Sequence, residues 1–387
     1  EALARLPVTR KHELLERQQA VREQASADSR SAQGDPFGGF AAIGWRGIGI
    51  ARPARRVFQS PGPIYEPEGH ASDYWRMARA MFAAGIRGGH LLHNSFSYHL
   101  TPAGSITETG AQALGCTVFP GGVGNTELQL QALRELGANA YAGTPSFLRI
   151  LLEKAAESGL QLLRLKHALV SGEAFPPSLR DWFSARGVEA YQAYATADVG
   201  CIAYETAARE GLVLSENVVV EIVRPGTSDP VPEAAPGQPS EVGEVVVTAL
   251  NLDYPLLRFG TGDLSAMLPG LCPTGRTNAR IRGWLGRADQ TAKVRGMFVH
   301  PSQVAQVLSR HPELGRARLV VEGEMANDRM TLHAECAGLG TSAPEGLAEA
   351  VAQSLRDITK LRAEVLLCQP NSLTNDGRVI EDARKLN

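Results

Sequence analysis

The chain has 387 residues, enough for one large and one small domain that can bury a core without disulfides or structural metal. Its formal charge of −2 offers no basic field, so nucleic acid and anionic membrane surfaces are excluded as expected partners. Five scattered cysteines suit a reducing compartment. The opening EALARLPVTRKHELLERQQ has no signal-peptide pattern, and no apolar run reaches membrane-spanning length, so a cytoplasmic protein is expected.

In chain order, RKHELLERQQAVREQASA reads as a helix and SAQGDPFGGFAAIG as a loop crowded with Gly and Pro. ASDYWRMARAMFAAG reads as an amphipathic helix stopped at Gly85. HLLHNSF, CTVFP, ANAYAG, LKHALVSG and VEAYQAYAT read as strands, separated by the helices AGSITETGAQALG, GNTELQLQALRELG, TPSFLRILLEKAAESG and PPSLRDWFSARG. Thr126 with Gln129 has capping-box spacing, and Thr144 followed by Pro145 reads as an N-cap with proline at the first helical position. This alternation predicts an α/β domain with a parallel-rich sheet. After residue 211 the composition turns to β, with GLVLSENVVVEIV and GEVVVTAL flanking a Pro-rich loop. The tail reads as a small α+β unit: the helix PSQVAQVLSRHPELG, the hairpin RARLVVEG and RMTLHAECAG, the helix APEGLAEAVAQSLRDIT and the strand AEVLLCQ.

Several blocks carry residue types suited to chemistry. SGEAFPP, 171–177, joins a strand to a helix, and AYATADVG ends the next strand. RFGTGDLS, GRADQTAKVRG and NDGRVIEDARK follow in order, and FQSPGPIYEPEGH precedes them all. In this order, from LPVTRKHEL to GRVIEDARK, the chain resembles the phenylacetate–CoA ligase branch of the AMP-forming, adenylate-forming acyl-CoA ligases.

The resemblance implies a large adenylate-forming N-terminal domain over 1–287, with parallel-rich sheets and a β-rich subdomain, and a mobile α+β lid over 288–387. It implies that ATP and a carboxylate form an acyl-adenylate, which CoA then attacks to release AMP. Gly172 and Glu173 would face adenine, Tyr194 would stack on it, Asp263 would accept the ribose hydroxyls, and Arg287 would contact the ribose. Arg258 and Thr261 match the same block as Asp263. Asp198 stands where the family has a Glu that holds Mg2+, a cation that takes carboxylate oxygen. Ala195 replaces a glycine, and Ala197 replaces a phosphate-contacting hydroxyl. Phe96 and Tyr98 stand where the family lines its acyl pocket, although an aromatic pair after a strand suits a core equally well. Gly296 fits the turn facing CoA.

With Ala197, two more phosphate-handling elements depart from the family. Arg378 replaces the lysine that bridges carboxylate and α-phosphate, and arginine is a poor stand-in at a tight site. The Ser-Ser-Gly-Thr-Thr-Gly-Lys-Pro phosphate loop is replaced by QSPGPIYEPEGH. There Pro61 and Pro63 remove donors, and Glu66 and Glu68 are expected to repel a polyphosphate. Thr206, Val213, Cys272 and Thr274 match the positions of a family zinc site; one thiolate is too few, so no structural zinc is expected.

The expected function is activation of an aromatic or other small carboxylic acid as an AMP-forming CoA ligase, with ATP/AMP, Mg2+ and CoA as cofactors. The alternatives are a ligase-fold protein that binds nucleotide, acyl-adenylate or acyl-CoA without efficient ATP use, and a loader of acyl groups onto a carrier protein. A homodimer is compatible with this reading. An oxidoreductase is disfavoured because no Gly-x-Gly-x-x-Gly follows a strand.

Overall fold

The computed structural model describes residues 3–27, 35–44, 53–224, 227–232, 234, 240–285, 288, 292–295, 297–299, 301–323, 328–339, 345–374 and 378–384. The chain divides into two compact units, Glu1–Ala288 and Asp289–Asn387.

The first unit opens with β1 (Thr9–Arg10) and α1 (Lys11–Ala27), then a hairpin of β2 (Arg56–Ser60) and β3 (Ile64–Glu68). There follow α2 (Ala78–Ala83), β4 (Leu91–Asn94), α3 (Ala103–Leu114), β5 (Thr117–Pro120), α4 (Thr126–Leu136), β6 (Ala140–Gly143), α5 (Pro145–Glu157), β7 (His167–Val170), α6 (Pro177–Ser184) and β8 (Glu189–Thr196). Strands β5, β4, β6, β7 and β8 lie side by side, all parallel. Beyond β8 the same sheet turns antiparallel through β9 (Gly200–Glu205) and β10 (Leu212–Leu214). A second sheet is built from β1, β11 (Val218–Val223), β12 (Gly243–Ala249) and β13 (Leu256–Ser265), in the order β1-β13-β12-β11. Two short strands, β14 (Met267–Leu268) and β15 (Arg280–Ile281), extend the first sheet beyond β10.

Small residues bring α2 and α3 together. Gly104, Ser105, Thr107, Thr109, Gly110 and Ala111 are all buried on α3. A Cβ on Gly110 would lie 2.7 Å from Met77 Cβ, so this approach excludes any side chain there. The helix expected over 71–85 is limited to Ala78–Ala83. Asp73 and Arg76 have φ of +52 and +63, which breaks the helical run before it starts. Asp73 instead accepts the backbone N–H groups of Met77 and Ala78 at 2.7 and 3.1 Å, satisfying donors that the helix start leaves open. Thr144 caps α5 as its sequence implies, accepting from Phe147 N with Pro145 behind it.

Arg258, on β13, is fully buried with φ of +45. Its guanidinium pairs with Glu221 at 2.9 Å and donates to Ser228 O at 2.9 Å, to Ala4 O at 3.1 Å and to Leu6 O. The side chain that matches a family motif is thus spent on binding the N-terminal segment to the second sheet.

The second unit contains β16 (Ala292–Val294), β17 (Met297–Val299), α7 (Pro301–Arg310), β18 (Leu314–Glu322), β19 (Arg329–Cys336), α8 (Leu347–Thr359), β20 (Glu364–Cys368) and β21 (Ile380–Asp382). Its main sheet runs β20-β19-β18-β21. Val304, Val307, Val351 and Leu355 of the two helices share a core with Leu319 and Leu332 of the sheet. The expected hairpin, β18 with β19, is present; β21 is an additional strand that pairs parallel to β18.

Candidate nucleotide and acyl site

Strand β8 lies where the first sheet changes from parallel to antiparallel, and its end carries Tyr194, Ala195 and Asp198 towards different neighbours. The Tyr194 hydroxyl donates to Asp263 Oδ2 at 2.9 Å, with Thr261 Oγ1 at 3.1 Å. Trp284 Nε1 donates to the other carboxylate oxygen, Asp263 Oδ1, at 3.1 Å. Asp263 is buried. A carboxylate offers about four acceptor directions, so these contacts are compatible with hydroxyl donors from a ligand. Two residues separated widely in sequence and expected to face adenosine are therefore hydrogen-bonded. Trp284 was missed in the sequence because it lies between motifs.

Gly172, with φ of +82, makes the turn after β7, a conformation natural to glycine. The next residue, Glu173, accepts Ser146 N at 3.3 Å, where the start of α5 favours an anion. Arg287 and Gly296 lie outside the described residues. In the second unit, Arg378 is exposed just before β21, and its carbonyl accepts from Arg318 Nε at 3.3 Å.

Asp198 is buried, and its Oδ2 lies 3.0 Å from Lys11 Nζ on α1. Glu66 of β3 is its neighbour. Glu66 Oε1 accepts from Ser60 Oγ at 2.6 Å, and the buried Glu66 and Asp198 carboxyl groups share a hydrogen bond that favours the protonated form of Glu66. Burial, then the charge of Asp198, pushes the Glu66 carboxyl well above its ordinary range, against the pull of Lys11 and Ser60. Glu68 is also fully buried. It binds Arg56 at 2.8 Å and Trp75 Nε1 at 2.7 Å, and accepts from Ser105 Oγ.

These contacts correct one expectation. Glu66 and Glu68 do not present charge to a polyphosphate; both turn inwards from the hairpin, and only Pro61, Gly62 and Pro63 are exposed at its tip. The tip is poor in donors because two of these three residues lack an N–H.

A wide-open surface depression of about 550 Å3 lies at the carboxyl ends of β4 and β5, lined by Ser97, Tyr98, His99, Pro120, Gly121, Gly122 and Val123. Carboxyl ends of parallel strands are the usual ligand side of such sheets; the point where successive connections diverge lies next door, between β4 and β6. Tyr98 lines it, and its hydroxyl accepts from Asn94 Nδ2 at 2.7 Å. Burial, then a hydrogen bond with Glu108, pushes the Tyr98 phenol up. Phe96 instead packs with Ala195 against the core around Trp75 and Met81, so the expected aromatic pair is divided between core and cavity.

The capping box expected at Thr126 and Gln129 is absent. Asn125, with φ of +48, precedes the helix, and no side chain caps it. Gln129 turns into the protein beneath the cavity. Its Nε2 donates to Gly122 O at 2.8 Å and Gly124 O at 2.7 Å, and its Oε1 accepts from Ser95 Oγ at 2.8 Å. His93 Nε2 lies 2.8 Å from the same Oε1.

The positions matched to a zinc site do assemble. Thr206 Oγ1 lies 3.6 Å from Cys272 Sγ, which lies 3.0 Å from Thr274 Oγ1, and Val213 belongs to the same core cluster as Cys272. Burial pushes the Cys272 thiol up, but hydrogen bonds with Thr274 and Thr206 and the charge of Arg280 leave it below its ordinary value. Among the described residues no group of three or more His, Cys, Asp or Glu side chains is placed to hold a metal ion. No described helix is long and apolar enough to cross a membrane.

Residues 99–252 match the family described as AMP-binding enzyme, and 296–382 match the AMP-binding enzyme C-terminal domain. Between them the two matches cover more than half of the chain, and the chain belongs to the AMP-binding, adenylate-forming enzymes. Within that class it is 32% identical over 268 residues to a phenylacetate–coenzyme A ligase of Thermus thermophilus, covering 67% of this chain and 59% of the relative. It is 28% identical over 314 residues to a phenylacetate–coenzyme A ligase of Aromatoleum evansii, covering 77% and 69%. The chain thus spans less than two thirds of the Thermus relative's length. Among solved structures it resembles a 2-hydroxyisobutyryl-CoA ligase bound to 2-HIB-AMP and CoA, at 25% identity and a TM-score of 0.77, covering 99% of this chain and 81% of that one.

Proposed function

We propose that this protein activates a small carboxylic acid as its acyl-adenylate and transfers the acyl group to the thiol of CoA, releasing AMP. The observation that carries this reading is the Tyr194–Asp263–Trp284 arrangement, which offers a ribose-binding carboxylate beside an aromatic surface in a member of the adenylate-forming family. The open depression at the ends of β4 and β5, about 550 Å3, is where the acid would be received in this reading. The relatives named above act on phenylacetate and 2-hydroxyisobutyrate, so an aryl or small branched acid is the substrate class to test first.

In this reading Gly172 and Glu173 border the adenine, Ala195 and Tyr98 border the acyl group, and Mg2+ accompanies ATP as part of the substrate. Asp198 is the candidate ligand for that ion, and to serve it must exchange its contact with Lys11. The unit after residue 288 acts as the lid that brings Arg378 to the carboxylate and α-phosphate, and Arg287 contacts the ribose. The protein works in the cytoplasm, where ATP and CoA are supplied.

A second reading is favoured by the hairpin tip. Pro61 and Pro63 offer no N–H to β- and γ-phosphates, and Ala197 offers no hydroxyl, so the protein binds AMP or an acyl-adenylate in preference to ATP. Pyrophosphate release with a panel of acids, beside calorimetry with ATP, AMP and acyl-CoA, separates the two. Acid-dependent release sustains the ligase; AMP binding without release with any acid replaces it with the second reading. Acyl transfer to a carrier protein but not to CoA would change the acceptor.

A further inference from the structure

We propose that Gln129 is a positioning residue that sets the shape of the acyl cavity, and through it the choice of acid; the second part rests on the ligase reading above.

The hydrogen bonds fix the amide's orientation without ambiguity. Gly122 O and Gly124 O can only accept, so the group facing them at 2.8 and 2.7 Å is the NH2. The remaining oxygen faces Ser95 Oγ and His93 Nε2, both at 2.8 Å, and both must donate. His93 therefore carries a proton on Nε2. Its buried ring, stacked on Phe119 at 5.0 Å between centroids, favours the neutral form, since burial holds its pKa below the ordinary value. One side chain from α4 thus ties the end of β4, through His93 and Ser95, to the loop 121–124.

Both tied segments border the cavity. Gly121 and Gly122 line it directly, and Ser97, Tyr98 and His99 follow Ser95 along the chain. The loop rests closely on its support: a Cβ on Gly121 would lie 2.7 Å from Gln129 Oε1 and 3.0 Å from His93 Nε2. The wall cannot settle deeper, and it cannot lift without breaking two hydrogen bonds to a side chain that is only 3% exposed. Gln129 itself is beneath the lining and does not border the cavity, so its effect on an acid is indirect.

The test uses the full chain with Gln129→Met, which keeps the length and loses the amide, and Gln129→Glu, which keeps the acceptor and loses both donors. In the unmodified protein, 15N NMR of the His93 ring should show protonation at Nε2, and the amides of Gly121 and Gly122, which donate to Phe119 O and Asn94 O, should exchange slowly. In both variants that exchange should accelerate at least about tenfold, the equivalent of 1.4 kcal/mol. The ratio of kcat/KM between a large and a small acid, followed by pyrophosphate release, should change about tenfold or more, with the KM for ATP unchanged. Rapid exchange in the unmodified protein, or His93 protonated at Nδ1 alone, overturns the network without recourse to any variant. Unchanged acid ratios in folded variants overturn the specificity role. If the unmodified protein releases pyrophosphate with no acid, the ligase reading falls. Calorimetry of acyl-CoAs of two sizes then decides the inference: equal size preference in all three proteins overturns it, and altered preference supports it.

Discussion

Lys11 Nζ lies 3.0 Å from Asp198 Oδ2, joining the first helix of the chain to the turn that follows the central strand of the sheet. Asp198 is almost fully buried while the lysine side chain is 39% exposed. The lysine therefore neutralises a carboxylate that has lost its water, at modest desolvation cost to itself. Lys11→Met should lower unfolding free energy by about 1–3 kcal/mol, the cost of leaving a buried polar group without its partner. Lys11→Arg should recover part of the loss. Urea titrations of the three proteins measure it; an unchanged midpoint in Lys11→Met would show that the contact contributes nothing.

Glu66 gives the stability a pH dependence of definite sign. Its folded pKa lies well above the ordinary value of 4.5, first through burial and then through Asp198. The folded state therefore binds this proton more tightly than the unfolded chain. Its contribution is fully present below 4.5 and is lost as pH rises through the folded value. The slope is at most about 1.4 kcal/mol per pH unit. Glu66→Gln mimics the protonated form and should flatten the decline between weakly acidic and weakly alkaline pH. Thermal melts across that interval check it, and a variant that keeps the wild-type slope refutes the assignment.

Tyr194→Phe removes the hydroxyl from Asp263 while leaving the ring. Trp284 still donates to the other oxygen, so the carboxylate keeps that side-chain support. A lost hydrogen bond to a charged group costs about 1.5–3 kcal/mol, so AMP affinity by calorimetry should fall by roughly one to two orders of magnitude. Trp284→Phe should act in the same direction. If neither moves AMP affinity, Asp263 does not meet the nucleotide.

Arg378 is the basic residue at the loop position where the family resemblance puts a lysine. If acid-dependent pyrophosphate release is found, Arg378→Ala should slow it by about 2.7–4 kcal/mol in barrier, as for loss of a donor that stabilises charge in the transition state. Arg378→Lys should preserve or raise the rate. Activity untouched by the alanine variant removes Arg378 from the chemistry.

Most of the fold was legible because local signals agreed. Alternation of short apolar strands with capped helices announced the parallel sheet, and Thr144–Pro145 marked a helix start that the structure keeps. Legibility ended where long-range contacts decide. The helix over 71–85 looked continuous because periodicity cannot register the positive φ of Asp73 and Arg76. The box at Thr126 and Gln129 had the right spacing, but the cavity floor offered the glutamine two carbonyls and two donors, more than a helix end provides. Glu66 and Glu68 looked like surface charges because alternation within so short a hairpin cannot reveal a partner such as Arg56 or Lys11. Tyr194 and Asp263 were readable only as separate motifs, and their hydrogen bond follows from the tertiary fold.

The bond between Arg258 and the carbonyls of Ala4 and Leu6 has a consequence for biosynthesis. Ala4 leaves the ribosome 254 residues before the arginine that holds it, and Thr9 must wait as long for its strand partner Phe259. The segment around Ala4 and Thr9 is therefore made long before it is able to dock. Until then β13 does not exist, and Leu14 lacks the apolar neighbours, Leu256 and Phe259 among them, that complete its core. Closing so long a loop costs little more than closing one of half the length, but it cannot occur before synthesis reaches the closing residue. Ribosome-bound chains halted shortly before Arg258 should remain open to protease at the N-terminal helix, and chains extended past Ser265 should become resistant there.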